Sequence, residues 1–351
     1  MMRDHAAIIG AGVVGCLSAL ALADRGWHVT LVDQGPSGME SSWAGGGILF
    51  PLLPWQYSTP VNTLALAGAA RHQVLCEDLL DRTGIDPEYQ RCGMQILPDH
   101  DRQSALQWCE AHHVPIETHG DTLWLPDVAQ ARNPRLMQAL RAMLKLRGVS
   151  LVEHAPMRPL TRQDGRIADW QDIHGQRYRA DIFVVTAGCW SQNLLGPSAL
   201  TLRLKPMRGQ MLLYRLAPDR LPHIRYREDF YLIPRRDGHI LAGSTVEDVG
   251  FDKSTTASTA AQLAAKAAAL LPALADAPIV KHWSGLRPGS PDNIPVIARH
   301  PHIENLYLNT GHFRYGVTMA PASAEILASL ICGETGPLDA HPYEFPAPTP
   351  Q

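Results

Sequence analysis

Apolar positions run in two different rhythms along the chain. A short apolar run over residues 5–9 leads straight into Gly10-Ala11-Gly12-Val13-Val14-Gly15, a small-residue stretch of helical character follows over 14–25, and a second apolar run, 27–32, closes on Asp33. This order predicts strand, turn, helix, strand. Residues 180–191 predict another buried strand, lying beside the first and breaking at Gly188, and 151–157 predict a strand end that closes at Met157. Residues 85–140 and 205–280 behave differently. They hold short alternating runs, such as 210–214, 230–234 and 239–243, joined by Pro- and Gly-rich turns, which is the signature of antiparallel strands. Helices are predicted over the alanine-rich stretch 258–271 and the apolar stretch 317–331. Proline suits a helix's first turn, so Pro321 predicts that the last helix begins between 317 and 320. No repeat appears, and the Pro-rich end, 342–351, is predicted to fray.

With 351 residues, 45% hydrophobic and 19% charged, the chain can fill two domain cores. A formal net charge of −3 without like-charge runs leaves no electrostatic footprint for nucleic acid or anionic lipid, so a small-molecule partner is expected. Cys16, Cys76, Cys92, Cys109, Cys189 and Cys332 are scattered, as reduced thiols of a cytoplasmic chain would be. The histidines, including His112-His113 and His300-Pro301-His302, stand in polar or turn-like settings without ligand spacing. They read as solvated, with no metal site. Residues 6–23 imitate a signal peptide, but Gly10, Gly12 and Gly15 and the strand that follows suit a folded core instead.

The glycine turn carries the first chemistry. Gly10 makes the tight turn, Gly12 lets a pyrophosphate approach the backbone, and Gly15 lets the helix pack on the strand. Val13 and Val14 open a helix whose free N–H groups favour negative charge. Asp33, with Gln34 beside it, stands 23 positions after Gly10 (33 − 10), where the dinucleotide fingerprint wants an acceptor for ribose hydroxyls. The alternative is a glycine turn in an ordinary α/β core. A second small-residue loop, Ser41-Ser42-Trp43-Ala44-Gly45-Gly46-Gly47-Ile48, asks for a ligand larger than a nicotinamide nucleotide. Its serine hydroxyls would reach phosphate and its glycines would let backbone lie against a flat ring. Met157, Ala187 and Gly188 would close the adenine side.

Taken with "HWSGLRPGSPDNIPVIARHP" (282–301) and "TGHFRYG" (310–316), these motifs resemble the FAD-dependent D-amino acid oxidase superfamily, nearest its glycine oxidase branch. The resemblance implies an α/β protein. A Rossmann-like FAD-binding domain of the p-hydroxybenzoate-hydroxylase type (1–84, 141–204 and 281–351) joins a mixed or antiparallel-sheet substrate domain (85–140 and 205–280). FAD would be non-covalent, since no cysteine falls within 285–316. The start of the last helix would face the flavin's pyrimidine edge, with Gly311, His312, Phe313, Arg314, Tyr315, Gly316, Val317 and Thr318 around it and the two glycines letting backbone bend about Arg314.

The likeness further assigns Arg287 a bidentate carboxylate clamp, Tyr231 a hydroxyl bond to the same group, and Arg314 the second cation. No catalytic base is required if the neutral amine binds, and His312 is expected to position backbone. The implied reaction oxidises glycine, sarcosine or small D-amino acids, with O2 as acceptor giving H2O2. The imine goes to glyoxylate or a keto acid and ammonia, or to a thiazole-forming synthase in thiamine biosynthesis. A homo-oligomer, dimer or tetramer, is expected. Asp229 and Val246 depart from the branch's histidine and methionine, which leaves the substrate ranking open. The rival reading, a D-amino acid dehydrogenase serving a quinone, shares Asn309-Thr310-Gly311-His312 but does not normally carry arginine at position 314.

Overall fold

The computed structural model describes residues 4–161 and 164–345. Strands His5–Ile9, His28–Val32, Ser150–Val152, Ile182–Val185 and Leu306–Thr310 pair in parallel within a six-stranded sheet, and Val296–Arg299 joins antiparallel at one edge. His5–Ile9 is flanked by Ile182–Val185 and His28–Val32 and is buried on both faces, which is why its residues are apolar without alternation. Ala6 and Ile8 enter one core and Ala7 and Ile9 another. The first of these cores also takes helix Val13–Asp24 and the terminal helix Gly316–Cys332, which pack on each other through small residues. Residues 6–23 are therefore core. The stretch Phe313–Cys332 has the length and composition to cross a bilayer, yet 67% of its most apolar window is buried inside the protein.

A nine-stranded mixed sheet roofs this unit. Its backbone is the long strand Lys205–Arg215, hydrogen bonded to His239–Gly243 on one side and to Lys281–Gly289 on the other. Lys281–Gly289 thus joins the roof, although it heads a segment expected with the cofactor-binding unit. Phe230–Pro234 shows why alternation matters: Phe230 and Leu232 face helix Ala257–Leu270, while Tyr231 and Ile233 face the opposite way, toward the first unit.

Several expectations need correction. The 151–157 strand is only Ser150–Val152; the chain then turns at His154 (φ 58°), and Met157 makes an isolated bridge to Asp172. His300 is buried, not solvated: its Nε2 donates to the Ser198 carbonyl at 2.8 Å and its Nδ1 accepts from the His302 and Ile303 amides, so a neutral ring satisfies three groups at once. His112, His113 and His302 are exposed. The carboxy end is pinned as far as Tyr343, whose buried hydroxyl donates to the Pro60 carbonyl at 2.8 Å. Residues 346–351 of the expected fraying end lie outside the described residues. All six cysteines are free thiols.

Candidate active site and cofactor cleft

One long cleft follows the seam between the two sheets, and every residue expected to bind cofactor or substrate lines it except Gly15. At one end, Gly10 (φ 112°) turns so tightly that a Cβ would lie 2.6 Å from the Thr186 carbonyl, and Thr186 Oγ1 donates to the Gly10 carbonyl at 2.7 Å. Gly15 acts from beneath. A Cβ there would come 1.8 Å from the Gly10 oxygen, so its absence lets the helix begin directly behind the turn without Gly15 reaching the cleft. Ser42 Oγ accepts from the Val13 amide at 2.9 Å, which leaves the hydroxyl proton free to donate. Asp33 accepts from the amides of Ala11 (2.6 Å) and Gly35 (2.9 Å), fixing its carboxylate at the strand end. Burial pushes that carboxyl above its usual range, with Glu40 and Glu153 in the same sense and the two amides opposing.

The expected second loop begins as one helical turn, Ser41–Ala44, and only then opens into glycines. These glycines answer to protein packing as well as to a ligand. A Cβ on Gly45 would lie 2.9 Å from Asn133 Nδ2, one on Gly46 2.6 Å from Ile233 Cδ1, and one on Gly47 (φ 77°) 2.1 Å from the Ala131 carbonyl. Side chains are thus excluded from the back of the loop, while its front lines the cleft beside Ile48.

At the other end, the cleft meets Arg287, Arg314 and Tyr231. The Arg287 guanidinium crosses its neighbouring strand at Gly209, where a Cβ would stand 2.2 Å from Nη1. Its Nη1 donates to the Thr245 carbonyl at 3.1 Å and its Nη2 to Ser244 Oγ at 2.7 Å. Tyr231 also donates to Ser244 Oγ, at 3.2 Å. Burial, opposed by Tyr231 and joined by the positive charge of Arg314, lowers Arg287 below the ordinary guanidinium range. Arg314 rests on the Phe313 ring, 5.7 Å from its centroid. Neither guanidinium has an ion-pair partner among the described residues. Asp229 and Val246 are exposed and do not line the cleft.

The turn around Arg314 differs in detail from expectation. Gly311 does bend it (φ 87°), but Gly316 is an ordinary helical residue (φ −55°), and the second bend falls on Phe313 (φ 44°). His312 has its Nε2 2.9 Å from Ser323 Oγ, and burial pushes it down to about 3, so it is a neutral strut rather than an acid or base. The terminal helix starts at Gly316, one residue earlier than predicted, which carries Pro321 beyond the first turn. Gly316, Val317 and Thr318 present the helix's amino-terminal end to the cleft.

Sequence reasoning missed Ser244 and Thr245, which orient Arg287, and Asn133, whose Nδ2 donates to the Ser42 carbonyl at 2.8 Å. The only signal was Gly243-Ser244-Thr245 following an alternating run; nothing local said which arginine it would meet.

The cleft fits a flavin dinucleotide by its own geometry. It runs without interruption from the Asp33 carboxylate, past a helix start whose Gly12 contributes no capping side chain, to a glycine wall and a helix end. No cysteine lines it. A family model described as FAD dependent oxidoreductase matches residues 5–330. A glycine oxidase of Pseudomonas aeruginosa is 44% identical over 97% of this chain and 98% of its own. A Nostoc protein named bifunctional protein ThiO/ThiG is 31% identical over 97% of this chain and 54% of its own. The crystal structure of glycine oxidase from Geobacillus kaustophilus superposes with a TM-score of 0.92 at 25% identity, covering 100% of both chains.

Proposed function

The chain belongs to the FAD-dependent oxidoreductase family, in its glycine oxidase branch, and on that footing we propose that it oxidatively deaminates glycine and other small amines, including sarcosine and small D-amino acids. The supporting observation is that Arg287, Arg314 and Tyr231 line the same end of the cleft, opposite the dinucleotide fingerprint, and have no acidic ion-pair partner among the described residues. When bound in this cleft, FAD would supply the two-electron acceptor for a hydride leaving the substrate's α-carbon.

The chain supplies the rest by position and charge. Arg287, held by Ser244 and the Thr245 carbonyl, offers two parallel N–H bonds to the carboxylate, and Tyr231 adds a hydroxyl. Arg314 completes the neutralisation. Two nearby cations also disfavour an ammonium, so the amine is held neutral and no protein base is needed. His312, tied to Ser323, keeps the turn against the terminal helix. The amino-terminal end of that helix favours the negative charge a ring gains on reduction. We assign cofactor binding to 1–84, 141–204 and 281–351, and the substrate roof to 85–140 and 205–280 with Lys281–Gly289 joined to it.

The overall reaction is glycine, O2 and water to glyoxylate, ammonia and H2O2. Before hydrolysis the imine is available to a thiazole-forming synthase, a role supported by the bifunctional name of the Nostoc relative. The test is peroxide formation by the FAD-loaded protein with glycine, sarcosine, D-alanine and D-proline in turn. One peroxide per amine consumed is expected. Dye reduction without peroxide would instead make it a dehydrogenase serving a quinone.

A further inference from the structure

Arg235 is 7% exposed and sits behind the glycine wall. It follows strand Phe230–Pro234 on the face that carries Tyr231 and Ile233, so one strand reaches both the substrate end and the back of the loop. Its Nη2 donates to the Gly46 carbonyl at 2.7 Å, and its Nη1 donates to Gln130 Oε1 and, at 3.2 Å, to the Ala131 carbonyl. All three acceptors are neutral, and Nε has no hydrogen-bond partner among the described residues. Glu88 and Asp237 are engaged by Arg132, at 3.2 and 2.9 Å. Burial pushes Arg235 down to about 10, which leaves it cationic at neutral pH.

A buried cation facing only neutral acceptors is costly unless an anion nearby offsets it. The cleft lies one peptide away, since both Gly46 and Gly47 line it. With the Gly46 carbonyl turned to Arg235, the Gly47 N–H on the opposite edge of the same trans peptide points away from it.

We propose that Arg235 is a positioning residue for flavin reduction: its charge favours the negative charge that the ring acquires, and its bond to the Gly46 carbonyl sets the direction of the Gly47 N–H. This rests on the reading that the ring lies against residues 45–47. The equilibrium between bound flavin and an indicator dye of known potential tests it on the FAD-loaded protein. Arg235→Met should lower the equilibrium constant for flavin reduction about tenfold, as expected for removing a charge on the order of 10 Å away at an effective dielectric of ~20.

Arg235→Lys, which keeps the charge without the fork, should recover most of that loss. Gln130→Glu leaves Arg235 in place and neutralises it, so it should reproduce the fall even if Arg235→Met does not fold. An unchanged constant in Arg235→Met or Gln130→Glu, or a fall in Arg235→Lys as large as in Arg235→Met, overturns the proposal. A wild-type constant no higher than that of free FAD would instead remove the reading of where the ring lies.

Discussion

Nε2 of His72 lies 2.9 Å from the carbonyl oxygen of Val317, the group that Pro321, four residues on and lacking an N–H, leaves open in the terminal helix. A carbonyl only accepts, so Nε2 carries a proton, and burial keeps the ring neutral. Gly68 presses on the next residue, since a Cβ there would fall 2.1 Å from the Thr318 carbonyl. Two neighbouring helices thereby clamp the helix end that faces the cleft. Replacing His72 with Phe should cost about 1–3 kcal/mol by stranding a buried carbonyl, and His72→Gln, which can still donate, should cost less. Denaturant unfolding of the two variants checks this; equal losses would mean that packing, not the hydrogen bond, decides.

Acid should act through the same residue. Burial pushes His72 down to about 4, against 6.5 for an ordinary histidine. The unfolded chain therefore binds the proton more readily between these values. The stability it contributes, roughly 3 kcal/mol, is present above pH 6.5 and disappears as pH falls through the folded value. His312, pushed down to about 3, adds in the same direction across that window and on down to its own folded value. Unfolding midpoints should drop steeply between pH 6.5 and 4, and His72→Gln should flatten that slope by one proton. A slope indifferent to the substitution would exclude His72 as its origin.

At the substrate end, Arg287→Ala should raise the glycine KM about 100-fold through loss of two charge-assisted bonds while the bound-flavin absorbance persists. Ser244→Ala removes the hydroxyl shared by Arg287 and Tyr231 and should raise KM roughly three- to tenfold. Steady-state kinetics with FAD content measured on the same samples separates substrate binding from cofactor loss. Parallel loss of flavin would contradict both.

For the glycine turn, Gly15→Ala should destabilise by more than ~2 kcal/mol and abolish FAD retention, because the new methyl must displace the Gly10 carbonyl. Gly35→Ala is the contrast. Nothing lies within 4 Å of a Cβ there and its φ is unremarkable, so stability should stay within about 0.5 kcal/mol. Thermal unfolding and flavin absorbance after gel filtration report both. Similar behaviour of the two variants would refute the steric account.

Local chemistry made part of this protein legible from the chain alone. A buried parallel strand needs an unbroken apolar run, a tight turn needs glycine, and a half-buried strand must alternate, so residues 5–33 and the runs at 230–234 and 239–243 announced themselves. The pairing of Arg287 with Arg314 was legible only through family resemblance, since 27 positions (314 − 287) separate them and no spacing rule links a roof strand to a helix start. What the fold alone decided are contacts between elements remote in sequence: His72 on Val317, Ser244 under Arg287, Arg235 behind Gly46, and His300 in the core. Each depends on which carbonyl or hydroxyl is left unpaired once two sheets have packed. That demand arises from buried polar groups needing partners, and it exists only after the chain has closed on itself.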